Sequence, residues 1–93
     1  MAQDEELNEI KKLVKDKSFV VGTENTIKNL KKNKISKIWL SSNIPEMIKE
    51  DIMNYSSINN VEVVNLELSN EDFGVLLKKQ FSVSVASVMK GEK

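Results

Sequence analysis

The sequence contains neither cysteine nor histidine among its 93 residues. Without cysteine the chain can form no disulfide framework and offers no thiolate, which fits a reducing compartment. Without histidine it has no imidazole base, no nucleophile–histidine pair and no histidine ligand for a metal. The acidic pairs Glu50-Asp51 and Glu71-Asp72 are adjacent in predicted helices and therefore point in different directions, which argues against acid–base catalysis. We expect no enzymatic activity, no metal site and no cofactor.

Arginine is missing as well, so all fourteen basic residues are lysines. The guanidinium fork that reads guanine edges or holds phosphate with two hydrogen bonds is therefore not available. If this chain recognises a nucleic acid, recognition must depend on the shape and phosphates of that nucleic acid. Lysines, backbone groups and polar side chains would make the contacts.

Long apolar runs are also lacking. None approaches the roughly 18 residues that a membrane-spanning helix requires, and the chain starts with acidic residues where a signal peptide would have basic ones. We therefore expect a cytoplasmic protein with no membrane contact. Hydrophobic residues make up 40% and aromatic residues 5%, which predicts a globular chain with an aliphatic core. The length predicts a single domain over residues 1–93, with a radius of gyration of roughly 12 Å.

Charge is distributed unevenly although the net charge is zero. Residues 1–10 carry −4, residues 11–49 carry +7, residues 50–73 carry −6 and residues 74–93 carry +3. Such a chain could present a basic face to phosphates while an acidic face points elsewhere. Ordinary solvated helix faces are the commoner explanation of such a distribution.

Apolar spacing and turn residues predict helices and strands in alternation. The predicted helices cover about 4–16, 23–32, 43–57 and 69–80, and the predicted strands cover 19–21, 35–40, 61–66 and 81–89. Thr23 and Ser69 are predicted to cap helices, with Asp72 completing a capping box at Ser69. Alternation of this kind implies crossover connections and a sheet covered on both faces, which is a three-layer α/β/α sandwich.

Three segments are candidates for a binding site. The first, residues 22–28, is a glycine turn that opens a helix, where free amides can bind an anion. It lacks the glycine spacing and the Gly-Lys-Ser/Thr ending of a nucleotide-binding loop, so a nucleoside triphosphatase is disfavoured. The second, residues 41–45, follows another strand, and its Asn43 either caps a helix or contacts a base edge. The third, residues 81–86, could pack against an extruded RNA base or be a core strand.

These segments, in this order, resemble the L30e ribosomal protein family within the L7Ae superfamily of kink-turn-binding proteins. The resemblance covers about residues 5–91. It rests on Val21-Gly22 with Thr26-Ile27-Lys28, on residues 34–39, on Asn43-Ile44-Pro45, on residues 48–52 with Tyr55, on residues 72–77 and on residues 81–88.

The resemblance implies a four-stranded mixed sheet with an antiparallel last strand, and a function in binding a kinked helix–bulge–helix of ribosomal RNA with tandem sheared G·A pairs. The glycine turn, the asparagine turn and the apolar loop before the last strand would hold the RNA, and further lysines would add salt-dependent attraction. The implied RNA-binding residues are Gly22, Thr23, Glu24, Asn25, Lys28, Lys31, Lys32, Asn43, Phe81, Ser82 and Val83.

The expected partners are a kink-turn in ribosomal RNA and neighbouring ribosomal proteins, with the protein a structural constituent of the large ribosomal subunit and a monomer when free. One alternative is a kink-turn-binding core protein of another RNA–protein particle. A second alternative is a regulatory or structural subunit without RNA that uses the same sandwich for protein contacts, with the acidic segment 50–73 as its interface. A hydrolase or transferase is a third class, which nothing in the residues favours.

Overall fold

The computed structural model describes residues 4–16 and 18–90. They alternate between helix and strand as the sequence predicts, and the radius of gyration is 12.1 Å, as the chain length predicts. The elements in chain order are α1 (Asp4–Leu13), β1 (Phe19–Val21), α2 (Thr23–Lys31), β2 (Ile35–Leu40), α3 (Glu46–Asn59), β3 (Glu62–Asn65), α4 (Asn70–Leu76) and β4 (Val85–Met89).

The four strands form one mixed sheet in the order β1-β4-β2-β3. Strand β4 is antiparallel to both β1 and β2, whereas β2 and β3 are parallel. The mixed sheet and the antiparallel last strand are therefore confirmed. Because β1, β2 and β3 run in the same direction and β4 runs against them, the ends of the first three strands and the start of β4 lie at one edge of the sheet.

Alternation along β2 divides the core into two layers. Trp39 packs with α1 and α4 residues such as Ile10 and Phe73 on one face of the sheet. Ile38 and Leu40, which point the other way, pack in a second cluster with residues of α2 and α3. Helices thus cover both faces of the sheet, and the α/β/α sandwich is confirmed.

A charged network fixes α1 on the sheet. Lys37 of β2 lies 3.0 Å from both Glu6 and Glu9 of α1, measured from its Nζ to a carboxylate oxygen of each. Trp39 Nε1 donates to the same Glu6 oxygen at 3.1 Å. Hydrogen bonds from Lys37 and then Trp39 lower the pKa of Glu6 below its ordinary value. Burial alone would lower the pKa of Lys37, but hydrogen bonds to Glu6 and Glu9 outweigh burial and raise it.

Several element ends differ from the predictions. Helix α1 ends at Leu13 and not at residue 16, because the Asp16 amide bonds the Leu13 carbonyl three residues back and closes a tighter turn. Helix α4 ends at Leu76 and not at residue 80, because Lys78 adopts a left-handed conformation with φ of 60°. The predicted strand over 81–84 is wrong, since β4 begins at Val85.

Of the two predicted helix caps, one is wrong and one is confirmed. Thr23 is the first residue of α2, and the residue before it, Gly22, occupies the cap position with no side chain to offer. Asn43, which was predicted either to cap a helix or to contact a base edge, does not cap α3, because Pro45 occupies the cap position. Ser69 caps α4 as predicted, and its hydroxyl accepts from the Asp72 amide at 3.2 Å.

Candidate nucleic-acid interface

Four connections meet at the edge of the sheet where β1, β2 and β3 end and β4 begins. We call this surface the loop edge; it comprises residues 22–25, 41–45, 68–70 and 81–84. Backbone hydrogen bonds join the connections: the Gly22 amide donates to the Val85 carbonyl at 2.9 Å, the Ser41 amide to Ser84 at 2.9 Å and the Ser42 amide to Leu68 at 2.7 Å. The three segments that the sequence singled out therefore lie together.

The glycine turn exposes the start of α2 at the loop edge. Gly22 has φ of 112°, a conformation that L-residues with side chains rarely adopt, so glycine is required there. The first backbone bond of the helix runs from the Thr26 amide to the Gly22 carbonyl. The amides of Thr23, Glu24 and Asn25 precede that bond, and no side chain caps them within the described part of the chain. They can therefore donate to an anion outside the protein.

A buried pair of hydroxyl groups joins the first turn of α2 to the sheet. Thr26 of α2 and Ser87 of β4 are both fully buried, and their hydroxyl oxygens lie 3.0 Å apart. Each hydroxyl is the hydrogen-bond partner of the other inside the core. This bond holds the first turn of α2 at a fixed position over the sheet.

The asparagine turn is held by a residue that the sequence analysis missed. The Asn43 side-chain oxygen accepts from the Asn70 backbone amide at 2.8 Å, and its Nδ2 donates to the Asn70 side-chain oxygen at 3.1 Å. The Asn70 carbonyl in turn accepts from the Val83 amide at 3.0 Å. Asn70 therefore ties the asparagine turn to the third segment. One feature of the sequence could have identified Asn70: it directly follows Ser69, the residue predicted to cap α4, and it therefore lies at the start of that helix.

The third segment presents an aromatic ring to solvent. The Phe81 side chain is 61% exposed, and Ser82 is exposed beside it. Val83, by contrast, is 2% exposed and packs in the core, so it anchors the loop and offers no contact surface. Gly74 of α4 lies directly under the loop, where a Cβ atom would overlap the Phe81 carbonyl oxygen.

The lysines predicted to bind RNA extend from the loop edge along α2. Lys28, Lys31 and Lys32 are exposed and line a shallow concavity of about 370 Å³ with Glu24. Lys28 lies about one turn from the start of the helix, whereas Lys31 and Lys32 lie roughly 12 Å along it. Lys31 also lies over the ring of Tyr55, 5.6 Å from its centroid. The structure thus brings Lys28 to the loop edge and places the other two farther along the same helix.

The loop edge offers backbone donors, a pair of side-chain amides and an exposed aromatic ring. Within residues 4–16 and 18–90 no group of three carboxylates could hold a metal ion. Over the same residues no helix is both long and apolar enough to cross a membrane. Helix amides and Lys28 can bind phosphate, Asn25 and Asn43 offer paired donors and acceptors, and Phe81 can stack on a base.

Comparison with known proteins gives the family. Residues 4–93 match the ribosomal protein L7Ae/L30e/S12e/Gadd45 family. The large ribosomal subunit protein eL30 of Saccharolobus solfataricus is 31% identical over 81 residues, which cover 87% of this chain and 75% of that protein. The eL30 protein of Sulfolobus acidocaldarius is 32% identical over 81 residues, which cover 87% of this chain and 78% of that protein. The chain belongs to the ribosomal protein L7Ae/L30e/S12e/Gadd45 family, and the resemblance found in the sequence is confirmed.

A solved structure shares the fold at low identity. A protein of unknown function from Bacillus halodurans superposes with a TM-score of 0.80 and 15% sequence identity, covering 91% of this chain and 84% of that one. At this identity the match supports the fold alone. It agrees with the mixed four-stranded sheet flanked by helices.

Proposed function

We propose that this protein is a structural constituent of the large ribosomal subunit, where it binds a kink-turn in ribosomal RNA through the loop edge and performs no catalysis. The observation that carries the proposal is the meeting of the glycine turn, the Asn43–Asn70 pair and the Phe81 loop at one edge of the sheet. Family membership and the eL30 relatives support the ribosomal setting. In that setting the protein is cytoplasmic, contacts neighbouring ribosomal proteins and is a monomer when free.

Each part of the loop edge has a role in RNA binding that follows from its chemistry. The free amides of α2 and the ammonium of Lys28 bind phosphate oxygens at the kink. Asn25 and Asn43 hydrogen-bond purine edges, and the ring of Phe81 stacks on a base that the kink has unstacked. Gly22 lets the backbone approach the RNA closely. Recognition depends on RNA shape, because the chain has no guanidinium group with which to read guanine edges.

Surface charge should contribute a sequence-independent part of the affinity. Lys31 and Lys32 continue the basic surface of Lys28 along α2, toward phosphates of the flanking stem. Each phosphate that they neutralise contributes roughly 0.7–0.9 to the slope of log affinity against log salt. Glu24, which lies among them, is exposed and can accept from a base amino group.

The test is a binding titration of the protein with a kink-turn RNA and with a control RNA whose tandem G·A pairs are replaced by Watson–Crick pairs, each at two salt concentrations. The proposal predicts tight binding to the kink-turn and loss of binding to the control. Equal weak binding to both RNAs would show lysine electrostatics alone and would favour the alternative in which the acidic segment 50–73 contacts protein partners.

Variants assign the binding to the loop edge. Phe81→Ala should weaken binding by about 1–3 kcal/mol, the value of one stacked base. Lys28→Gln should lower both the affinity and the salt slope, whereas Lys34→Gln, the same change at the opposite edge of the sheet, should leave the salt slope unchanged. Asn43→Ala should weaken kink-turn binding more than Asn70→Ala. The Asn43 side chain takes part in both hydrogen bonds between the two residues, whereas the Asn70 side chain takes part in only one of them. Equal effects of Lys28→Gln and Lys34→Gln would contradict the assignment.

A further inference from the structure

A second concave surface lies between the ends of α1 and α4, on the face of the sheet opposite α2. Val14 and Leu76 supply its apolar part, and Lys11, Lys15 and Lys78 surround them. The hollow measures about 260 Å³. We call it the lysine hollow. It lies away from the loop edge, since α4 starts at that edge and Leu76 is the last residue of the helix, roughly 10 Å along it.

The charge of the lysine hollow is of one sign. Within residues 4–16 and 18–90, Lys11, Lys15 and Lys78 have no carboxylate within salt-bridge distance, because the ion pairs among these residues all involve Lys37. Four other concavities of the protein differ, as each contains a glutamate or lacks lysine. Among the residues that the structure describes, the lysine hollow therefore presents three cations without an ion pair around an apolar floor.

The size and the apolar floor indicate what kind of group fits. Small-molecule sites usually measure roughly 300–1,000 Å³, so the hollow suits one side chain of a larger partner better than a whole small ligand. Its floor is aliphatic, whereas bases of single-stranded nucleic acid stack on aromatic rings. An aliphatic side chain flanked by carboxylates matches both the floor and the rim.

We propose that the lysine hollow is a docking site for an acidic segment of a partner protein, with one aliphatic side chain of that segment seated on Val14 and Leu76. The flanking carboxylates pair with Lys11, Lys15 and Lys78. This function is separate from RNA binding at the loop edge, because none of the residues that line the lysine hollow belongs to the loop edge. The protein would then hold RNA at one surface and a protein partner at the other.

Lys78 provides a test that separates binding from folding. It follows the cap of α4 in a left-handed conformation with φ of 60°, a position where glycine is usual. Lys78→Gly should therefore leave the melting temperature unchanged or raise it, while it removes one cation of the rim. A loss of peptide binding in this variant cannot be ascribed to unfolding.

The experiment measures the fluorescence anisotropy of a labelled short peptide that has one leucine flanked by glutamates. The unmodified protein should bind it saturably, and Lys78→Gly should weaken binding roughly 2–5-fold, as expected for one exposed ion pair. The triple variant Lys11→Gln, Lys15→Gln, Lys78→Gly should weaken it at least about 10-fold. A peptide with serine in place of leucine should also bind roughly 10-fold more weakly.

A matched control removes three lysines elsewhere: Lys34→Gln, Lys49→Gln, Lys90→Gln. It should bind the leucine peptide like the unmodified protein, although its net charge equals that of the triple variant. Equal weakening by the two triple variants, or equal binding of the serine and leucine peptides, would overturn the proposal in favour of non-specific charge attraction.

Two further measurements test whether RNA or a second copy of the protein occupies the lysine hollow instead. Titration of the same variants with kink-turn RNA should show no loss beyond that of the control variant; a larger loss in the lysine-hollow variant would mean that the hollow binds RNA and would overturn the proposal. Sedimentation of the free protein should show a monomer. Self-association that the lysine-hollow variant abolishes would mean that the occupant is a second copy, which also overturns it.

Discussion

Gly74→Ala tests whether the close approach of α4 to the Phe81 loop sets the shape of the loop edge. A Cβ atom at residue 74 would overlap the Phe81 carbonyl oxygen and lie 3.2 Å from the Phe81 carbonyl carbon and 3.3 Å from the Ser82 Cα. All three atoms belong to the backbone, so no side chain can rotate away. Gly74 itself is buried. The loop must move, or the helix must shift away from it.

Two opposing effects determine the expected magnitude. Replacing a helical glycine by alanine stabilises an unobstructed helix by about 0.5–1 kcal/mol. Forcing an extra methyl group into a packed site costs typically about 1–3 kcal/mol. Because the overlap is with backbone, we expect the cost to prevail and the free energy of unfolding to fall by about 1–2 kcal/mol. Displacement of the loop should also weaken kink-turn binding, up to the roughly 1–3 kcal/mol of a stacked base.

Urea unfolding and RNA titration measure the two effects, with Val75→Ala as the matched control. Val75 is the next residue of α4 and is 73% exposed, so its truncation to alanine should change both quantities little. If Gly74→Ala were as stable as the unmodified protein and bound the kink-turn equally well, the close approach would have no role in shaping the site. The assignment of Phe81 to RNA binding would then lose its structural support.

Two further predictions concern the core. Glu6→Gln should lower the free energy of unfolding by about 1 kcal/mol at neutral pH, because Lys37 loses a charged partner. The lowered pKa of Glu6 means that its stabilisation is present above its ordinary pKa of 4.5 and is lost as the pH falls through the lower value in the folded state. The difference between the two proteins in urea unfolding should therefore shrink below about pH 4.5, and a constant difference down to strong acid would contradict the ion pair. Thr26→Val or Ser87→Ala alone should each cost about 1–3 kcal/mol, because each leaves a buried hydroxyl without its partner. The double variant should cost less than the sum of the two, and additive costs in thermal unfolding would show that the hydroxyls do not interact.

Local sequence signals predicted the elements that depend on local interactions. The alternation in residues 35–40 predicted β2 with its observed bounds, and Ser69 capped α4 because its hydroxyl and the Asp72 amide lie within one helical turn. Pro45 marked the start of α3, since proline fits the first turn of a helix. The mixed sheet with its antiparallel last strand was predicted only from the family resemblance, because the periodicity of single strands does not specify their neighbours. The strand order was not predicted.

The features that the sequence analysis missed depend on contacts between distant parts of the chain. Residues 81–84 have the composition of a strand, but the approach of Gly74 and the hydrogen bond from Val83 to Asn70 make them a loop. Asn43 was predicted either to cap a helix or to contact a base edge, but it bonds Asn70, which lies 27 residues farther along the chain. The local propensity of a residue does not reveal such a partner. The loop edge was therefore predictable in its segments but not in the bonds that join them.

The central place of β4 has a consequence for how the protein is made. Strand β4 is fourth in chain order, yet it pairs with both β1 and β2 and lies between them. During synthesis, β1 therefore has no neighbouring strand until residues 85–89 have left the ribosome. Folding must wait for pairings of high sequence separation, which slows it. A nascent chain that stops before Val85 cannot assemble the loop edge, so competence to bind RNA should arise together with completion of the sheet.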